Sequence, residues 1–254
     1  MTVRLHAPAR GSVNRHAEVD LPAGGVFVKL YEQPAFAPVE RAVLDALAAR
    51  YDWPVPAVDG GDGWLAFPLL DLAPGWSSAA LPVLGARLAE VHATPVPEGV
   101  PPMADPVAQV PRRLDRLRSF DPRGADAAAA TWERAVTVRA AARTGANVLL
   151  HNDFGPRNAV RRPDGTVALI DLERAGAGDP HWDLGKVWDV ELADPADRRA
   201  FLAGYGARDW PHPETLWTTR FAAALAAVPF ARRIGDAAFA RWAYDLLDRL
   251  AAEL

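Results

Sequence analysis

Two hydrophobic periods share this chain unevenly, and that division is what most limits the fold. Residues 26–31, Val-Phe-Val-Lys-Leu-Tyr, form a β-rich run of period two behind the turn signal of Pro22, Gly24 and Gly25. Residues 16–21 read as the hairpin partner. Trp64 to Leu70 is a further short apolar strand, entered through Gly60, Gly61 and Gly63. A helix between them is expected from Pro38, with Val39, Val43, Leu44 and Leu47 on one face. Beyond residue 76 the helical period takes over, at about 81–92, 112–119, 125–143, 196–206, 214–231 and 236–252. One β-type island interrupts it, with strand signals at 148–150 and 167–170. The pattern specifies an α+β chain with a small β-rich N-terminal lobe, residues 1–70, and a larger mainly helical lobe, residues 71–254. The hinge is expected at about 67–76, and the six prolines between 95 and 111 mark an irregular connection.

Length and composition exclude several classes. A chain of 254 residues buries a sizeable core. A formal charge of -4 argues against a nucleic-acid partner. The absence of cysteine removes disulfides, cysteine nucleophiles and thiolate zinc sites. The N-terminus has no apolar signal region, and the longest apolar run, 221–230, is half of what a membrane span needs, roughly 20 residues. A soluble, cytoplasmic protein with no membrane partner is expected. Of the 28 basic residues only Lys29 and Lys186 are lysines, and asparagine occurs only at 14, 147, 152 and 158. Codon bias accounts for abundant arginine but leaves open why one lysine persists inside a strand.

The chemistry concentrates between 147 and 171. The segment His151-Asn152-Asp153-Phe154-Gly155-Pro156-Arg157-Asn158 follows one apolar strand, and Asp171 ends the next. Loops at strand ends are where a rigid scaffold presents functional groups. Asp and Asn oxygens are hard ligands that suit Mg²⁺, which keeps waters and takes one or two carboxylates together with phosphates. Residues 151–197 hold ten acids and five bases, a net of -5. Two carboxylates 4 Å apart repel by about 4 kcal/mol at an effective dielectric of 20, so a cation is expected among them.

The His-x-Asp-x-x-x-x-Asn pattern of 151–158, followed by Ile170-Asp171-Leu172-Glu173, resembles the catalytic loop and metal-binding aspartate of the aminoglycoside phosphotransferases, the small-molecule branch of the protein-kinase-like fold. The downstream run from Gly178 and Asp179 to Asp183, Leu184 and Gly185, and the upstream Val26-Phe27-Val28-Lys29, resemble two more of that family's motifs. The four stand in the family's order over about residues 10 to 190. The resemblance implies a two-lobed protein-kinase-like fold. It also implies a phosphotransferase that uses Mg²⁺ and takes ATP or GTP as donor.

Under this resemblance Asp153 takes or orients the proton of the acceptor hydroxyl. Asn158 and Asp171 hold Mg²⁺, and Lys29 reaches the α- and β-phosphates. Glu40, at the start of the first helix, is the expected partner of Lys29, with Glu32 ranked second. Ser12, in the glycine-poor loop 10–14, is expected at the phosphates, and backbone groups of Leu69 at the base. The same loop position implies a first strand that is short or missing. His151 is expected to brace the loop. Each residue also has an ordinary explanation, as a turn or cap residue or a solvated strand lysine, but the ordered set outweighs it. The acidic surroundings favour a cationic small-molecule acceptor, most simply an antibiotic whose modification gives resistance. Choline, homoserine or an amino sugar is the alternative. Only eleven residues separate Asp171 from Asp183, too few for the activation loop of a protein kinase. A metal-dependent phosphoesterase would leave Lys29 without a task. A non-catalytic relative would be expected to lack one of Lys29, Asp153, Asn158 or Asp171.

Overall fold

The computed structural model describes residues 2–6, 14–22, 24–138, 147–207 and 210–254, excluding the side chains of 2, 3, 5, 6, 137 and 138. Two compact units are present, each assembled from separate stretches of chain. The first comprises Met1–Pro102, Val148–Ala177 and Pro195–Ala207; the second comprises Met103–Asn147, Gly178–Asp194 and Arg208–Leu254. In chain order the strands are β1 (Thr2–His6), β2 (Arg15–Leu21), β3 (Gly24–Leu30), β4 (Asp59–Gly61), β5 (Trp64–Pro68), β6 (Ala73–Pro74), β7 (Val148–Leu150), β8 (Ala159–Arg161), β9 (Val167–Leu169) and β10 (Gly176–Gly178). The helices are α1 (Phe36–Ala48), α2 (Leu81–Ala93), α3 (Val110–Arg118), α4 (Pro122–Val138), α5 (Pro195–Tyr205), α6 (Pro213–Ile234) and α7 (Ala237–Ala252).

The first unit opens with an antiparallel sheet in the order β1-β2-β3-β5-β4. The first strand, expected to be short or missing, is present. It pairs with β2 over five residues, from Thr2 opposite Asp20 to His6 opposite His16. In β3 the period of two sets Phe27 and Lys29 on one face, and Tyr31 continues that alternation. Lys29 stands opposite His16 on one side and Leu65 on the other, so a charged residue lies in the middle of the sheet and is 5% exposed. In α1 the buried positions Val43, Leu44 and Leu47 recur three, four and seven residues after Glu40. Helical geometry therefore places the Glu40 carboxylate on the apolar face, where a charge needs a partner.

Residues 73–75, inside the expected hinge, pair with a neighbouring strand. Ala73 and Pro74 pair with Arg161 and Val160 of β8, and the Gly75 amide donates to the Ala159 carbonyl. Two backbone hydrogen-bonded rungs there outweigh the turn character of Pro74 and Gly75. The small sheet β6-β8-β9 rests on α2, which also packs on β7.

Helices α2 and α5 meet through two glycines. A methyl group built on Gly85 would lie 2.0 Å from the Phe201 carbonyl oxygen, and one on Gly204 would lie 1.8 Å from that of Pro82. Both obstacles are backbone, which cannot rotate aside. Gly204→Ala is therefore expected to destabilise the protein by about 3 kcal/mol, the upper end of ordinary overpacking costs. Chemical denaturation checks this; an unchanged midpoint would show that the helices part freely.

The second unit has its own core, built from α3, α4, α6 and α7 around the stacked rings of Trp217 and Phe221. The Trp217 indole donates to the Leu250 carbonyl. Arg220 forks onto Asp189 with both bonds at 2.7 Å and onto Glu253 with both at 3.1 Å, so a largely buried guanidinium is satisfied from two directions. Among the described residues no helix is long and apolar enough to cross a membrane.

Candidate active site

Lys29 is the hub of a buried polar cluster in the first unit. Its ammonium lies 2.7 Å from Glu40 Oε2 and 2.9 Å from Glu173 Oε2, and it also donates to Asp171 Oδ1. The ammonium thus meets three carboxylates, Glu40 and Asp171 through hydrogen bonds and Glu173 through an ion pair. Burial by itself lowers a lysine pKa, but Glu40, Asp171 and Glu173 together outweigh it and hold this ammonium well above its ordinary value. Glu40 is secured from other directions as well. Its Oε1 accepts the Leu172 amide at 3.0 Å, and its Oε2 accepts the Tyr31 hydroxyl. Burial first, and the Glu40 charge second, push the Tyr31 phenol far up, so it stays a donor.

Asp171 sits where β9 gives way to a single turn of 3₁₀ helix at Leu172–Arg174. Its φ of 64° is left-handed, a conformation that Asp tolerates better than most residues and that concentrates at functional turns. This kink brings the Asp171 and Glu173 carboxylates and the Leu172 amide to the Lys29–Glu40 pair. Glu40 and Glu173 are almost completely buried, whereas the Asp171 side chain is 35% exposed.

The loop after β7 carries the second group of residues. His151 is fully buried. Its Nε2 donates to the Ile170 carbonyl at 3.1 Å, and its Nδ1 accepts the Asp153 amide at 3.4 Å. These two bonds require a neutral ring protonated on Nε2 and tie the loop to the residue before Asp171. Asn152 is also left-handed, with φ 61°, and its side-chain amide donates to the Arg174 carbonyl. Asn158 donates through Nδ2 to the Asp153 carbonyl at 2.8 Å and to Asp153 Oδ2 at 3.2 Å. Arg157 Nη2 lies 2.8 Å from the same Oδ2. The Ile170 amide donates to the Asn158 carbonyl, a further tie between the loop and the Asp171 strand.

The structure therefore brings Lys29, Glu40 and Asp171 into one cluster and Asp153 and Asn158 into direct contact. Glu32, ranked second as a partner of Lys29, is exposed and contributes only its backbone amide, to Asn14 Oδ1 at 3.2 Å. Leu69 is apart from these residues. It is exposed, and its amide is already committed to the Gly25 carbonyl at 2.9 Å. Ser12 lies outside the described residues.

Two site residues went unassigned from sequence. Glu173 joins the lysine hub, and Asn14, buried to 5% exposure, donates to Glu173 Oε2. The scarcity of asparagine was a signal for Asn14, one of only four. Glu173 stands within the Ile170–Glu173 motif itself.

Comparison with known proteins finds a family and a fold for the chain. A model of the phosphotransferase enzyme family matches residues 4–217. An aminoglycoside phosphotransferase structure superposes with a TM-score of 0.73 at 15% identity, covering 100% of this chain and 94% of that one. A spectinomycin phosphotransferase solved with ADP and spectinomycin gives 0.72 at 13%, covering 98% and 93%. The choline kinase of Streptococcus pneumoniae gives 0.66 at 16%, covering 100% and 94%. No curated protein matches by sequence. At these identities the superpositions show the fold, which is α+β and protein-kinase-like.

Proposed function

The chain belongs to the phosphotransferase enzyme family, and from that premise we propose that it transfers the γ-phosphoryl group of ATP or GTP to a hydroxyl of a small molecule, with Mg²⁺. The observation that carries this reading is the convergence on Lys29 of Glu40 and Asp171, from segments far apart in sequence. Phosphoryl transfer needs little from a protein beyond positioning and charge neutralisation, and a fixed cation beside an accessible carboxylate provides both.

The donor set fits a hard dication. Three carboxylates around one ammonium leave the hub with two uncompensated negative charges, and Asp171 is its part-exposed member. The Asn158 amide nitrogen is occupied by Asp153, which directs its carbonyl oxygen away as the available ligand. Asn158 and Asp171 are thus the proposed Mg²⁺ ligands, and bound Mg²⁺ would neutralise charge on the nucleotide's β- and γ-phosphates. Lys29 holds the α- and β-phosphates. Asp153, held through Oδ2 by Arg157 and Asn158, is the residue proposed to take the acceptor proton. At Leu69 the amide is spent, and the base-reading role falls to the carbonyl. Ser12 is retained as a phosphate contact. Residues 1–70 act as the nucleotide lobe and 71–254 as the catalytic and acceptor lobe, with the hinge at 67–76. The net charge of -5 over residues 151–197 supports a cationic acceptor, an aminoglycoside or a basic peptide or nucleoside antibiotic, modified in the cytoplasm to give resistance.

The test is ADP or GDP formation with Mg²⁺ across aminoglycosides, peptide and nucleoside antibiotics, choline and homoserine, alongside thermal melting. A nucleotide at 100 times its Kd adds about 2.7 kcal/mol. A melting point unmoved by both Mg·ATP and Mg·GTP, with no turnover, would overturn the proposal.

A further inference from the structure

Lys29 has more carboxylate partners than a lysine that must also reach a phosphate can use at one time. An ammonium has three N–H bonds: Glu40 and Asp171 accept two of them, and Glu173 crowds the same nitrogen as an ion pair at 2.9 Å. One partner must yield when a phosphate arrives, and the surroundings of the three differ. Glu40 is buried and held independently by the Leu172 amide and the Tyr31 hydroxyl. Glu173 is equally buried and held independently by the Asn14 side-chain amide. Asn14 is fixed in turn, because its Oδ1 accepts the Glu32 amide just after β3. Asp171 is the partner that reaches solvent, with 35% of its side chain exposed.

We propose that Glu173 and Asn14 are positioning residues that, with Glu40, form a two-carboxylate mount for Lys29, leaving Asp171 as the exchangeable partner released when Mg·nucleotide binds. This rests on the phosphotransferase reading above and deepens it. The mount has a physical advantage over a single Glu40–Lys29 pair. A lone pair fixes the distance between lysine and carboxylate but not the direction of the remaining N–H bonds. Two carboxylates, each immobilised by a different backbone-anchored donor, hold the nitrogen from two sides and so fix its position more closely than one can. Misplacing a charge by about 1 Å at a reacting centre costs on the order of 10²-fold in rate, so that position matters. Asn14 is also the residue that leads into β2 directly behind the segment 10–14, so the mount ties the start of the sheet to the Asp171 turn.

Two measurements test this. The first is turnover of Mg·ATP and Mg·GTP, with water as acceptor, by wild type, Asn14→Ala, Glu173→Gln and the double variant. Each single variant should lose about tenfold in kcat with a smaller change in nucleotide KM, and the double variant should be no worse than Glu173→Gln, because Asn14 acts through Glu173. The second is acetylation of Lys29 by sulfo-NHS acetate without nucleotide, followed by mass spectrometry. Losing one of its two mounts lets the lysine side chain leave the cluster, so Glu173→Gln should be acetylated several-fold faster at the same pH. Wild-type kcat and wild-type acetylation in a folded Glu173→Gln, or single effects that add in the double variant, would overturn the proposal. If Glu173→Gln melts below the assay temperature, Asn14→Ala carries both measurements. If the wild type turns over neither nucleotide, the phosphotransferase reading fails, while the acetylation result still decides whether the mount exists.

Discussion

Asp153→Ala is expected to lower phosphoryl transfer by about 10²- to 10⁴-fold, the usual contribution of a positioned general base. Nucleotide affinity should change little. The Asp153 side chain is 11% exposed, with Oδ2 occupied by Arg157 and Asn158. Removing the carboxylate frees Arg157, which is already exposed. It does not free Asn158, whose shorter bond, 2.8 Å, runs to the Asp153 backbone carbonyl and survives the substitution. The proposed Mg²⁺ ligand therefore keeps its orientation. Asp153→Asn separates the two roles of the residue. It keeps the shape of the side chain and removes its ability to accept a proton, so a loss as large as that of the alanine variant marks a base. The measurement is initial rate at saturating Mg·nucleotide with an accepted substrate. Full activity in Asp153→Ala would remove this residue from the mechanism.

At Lys29 both stability and turnover are expected to suffer. Lys29→Met leaves Glu40 and Glu173 buried and facing each other without a cation. Breaking a buried ion pair from one side costs about 3–5 kcal/mol. Lys29→Arg keeps the charge, so it should cost less stability, yet turnover should still fall at least 10²-fold. A planar guanidinium presents its donors in one plane and is bulkier than an ammonium, so it cannot serve three carboxylates converging on one nitrogen. Stability should also depend on pH. The Lys29 pKa is higher in the folded protein than its ordinary value of 10.5, so its contribution is complete below about pH 10.5 and fades as pH rises toward the folded value. The Tyr31 phenol is raised too, from an ordinary 10.0, and its contribution has the same sign. Melting temperature followed from pH 8 to 11.5 should fall for the wild type above about pH 10 and fall less for Lys29→Met. Parallel curves would show that the hub contributes nothing to folding.

Local patterns in the sequence carried the hairpin β2–β3, the apolar face of α1 and strands β7 and β9, because each rests on a period of two or 3.6 over a few residues. Strand β1 escaped this reading. A short strand such as this one is recognisable only through its pairing with β2, and that pairing is not local information. Within the site, Lys29, Asp153, Asn158 and Asp171 were legible because they fall in spaced motifs, and Glu40 because helical geometry sets it in line with Val43, Leu44 and Leu47. The Asn14–Glu173 bond joins residues 159 apart. Each of its ends has an innocent local explanation, a turn asparagine and a 3₁₀ glutamate. Leu69, expected inside a strand reaching Leu70, lies just past β5, which ends at Pro68, and its amide is consumed by the Gly25 carbonyl. The rarity of lysine proved informative at position 29 alone, since Lys186 is exposed.

The close approach of Gly85 to Phe201 and of Gly204 to Pro82 reaches further than helix packing. Helix α2 supports both β7, which delivers His151, and β9, which delivers Asp171, while Phe154 of the loop between them rests against Phe201 of α5. The two helices thus act as a gauge block: the spacing set by two missing methyl groups fixes the height at which the polar loops stand. Tolerances at the carboxylates are inherited from main-chain contacts at two residues that a list of chemical groups would never include.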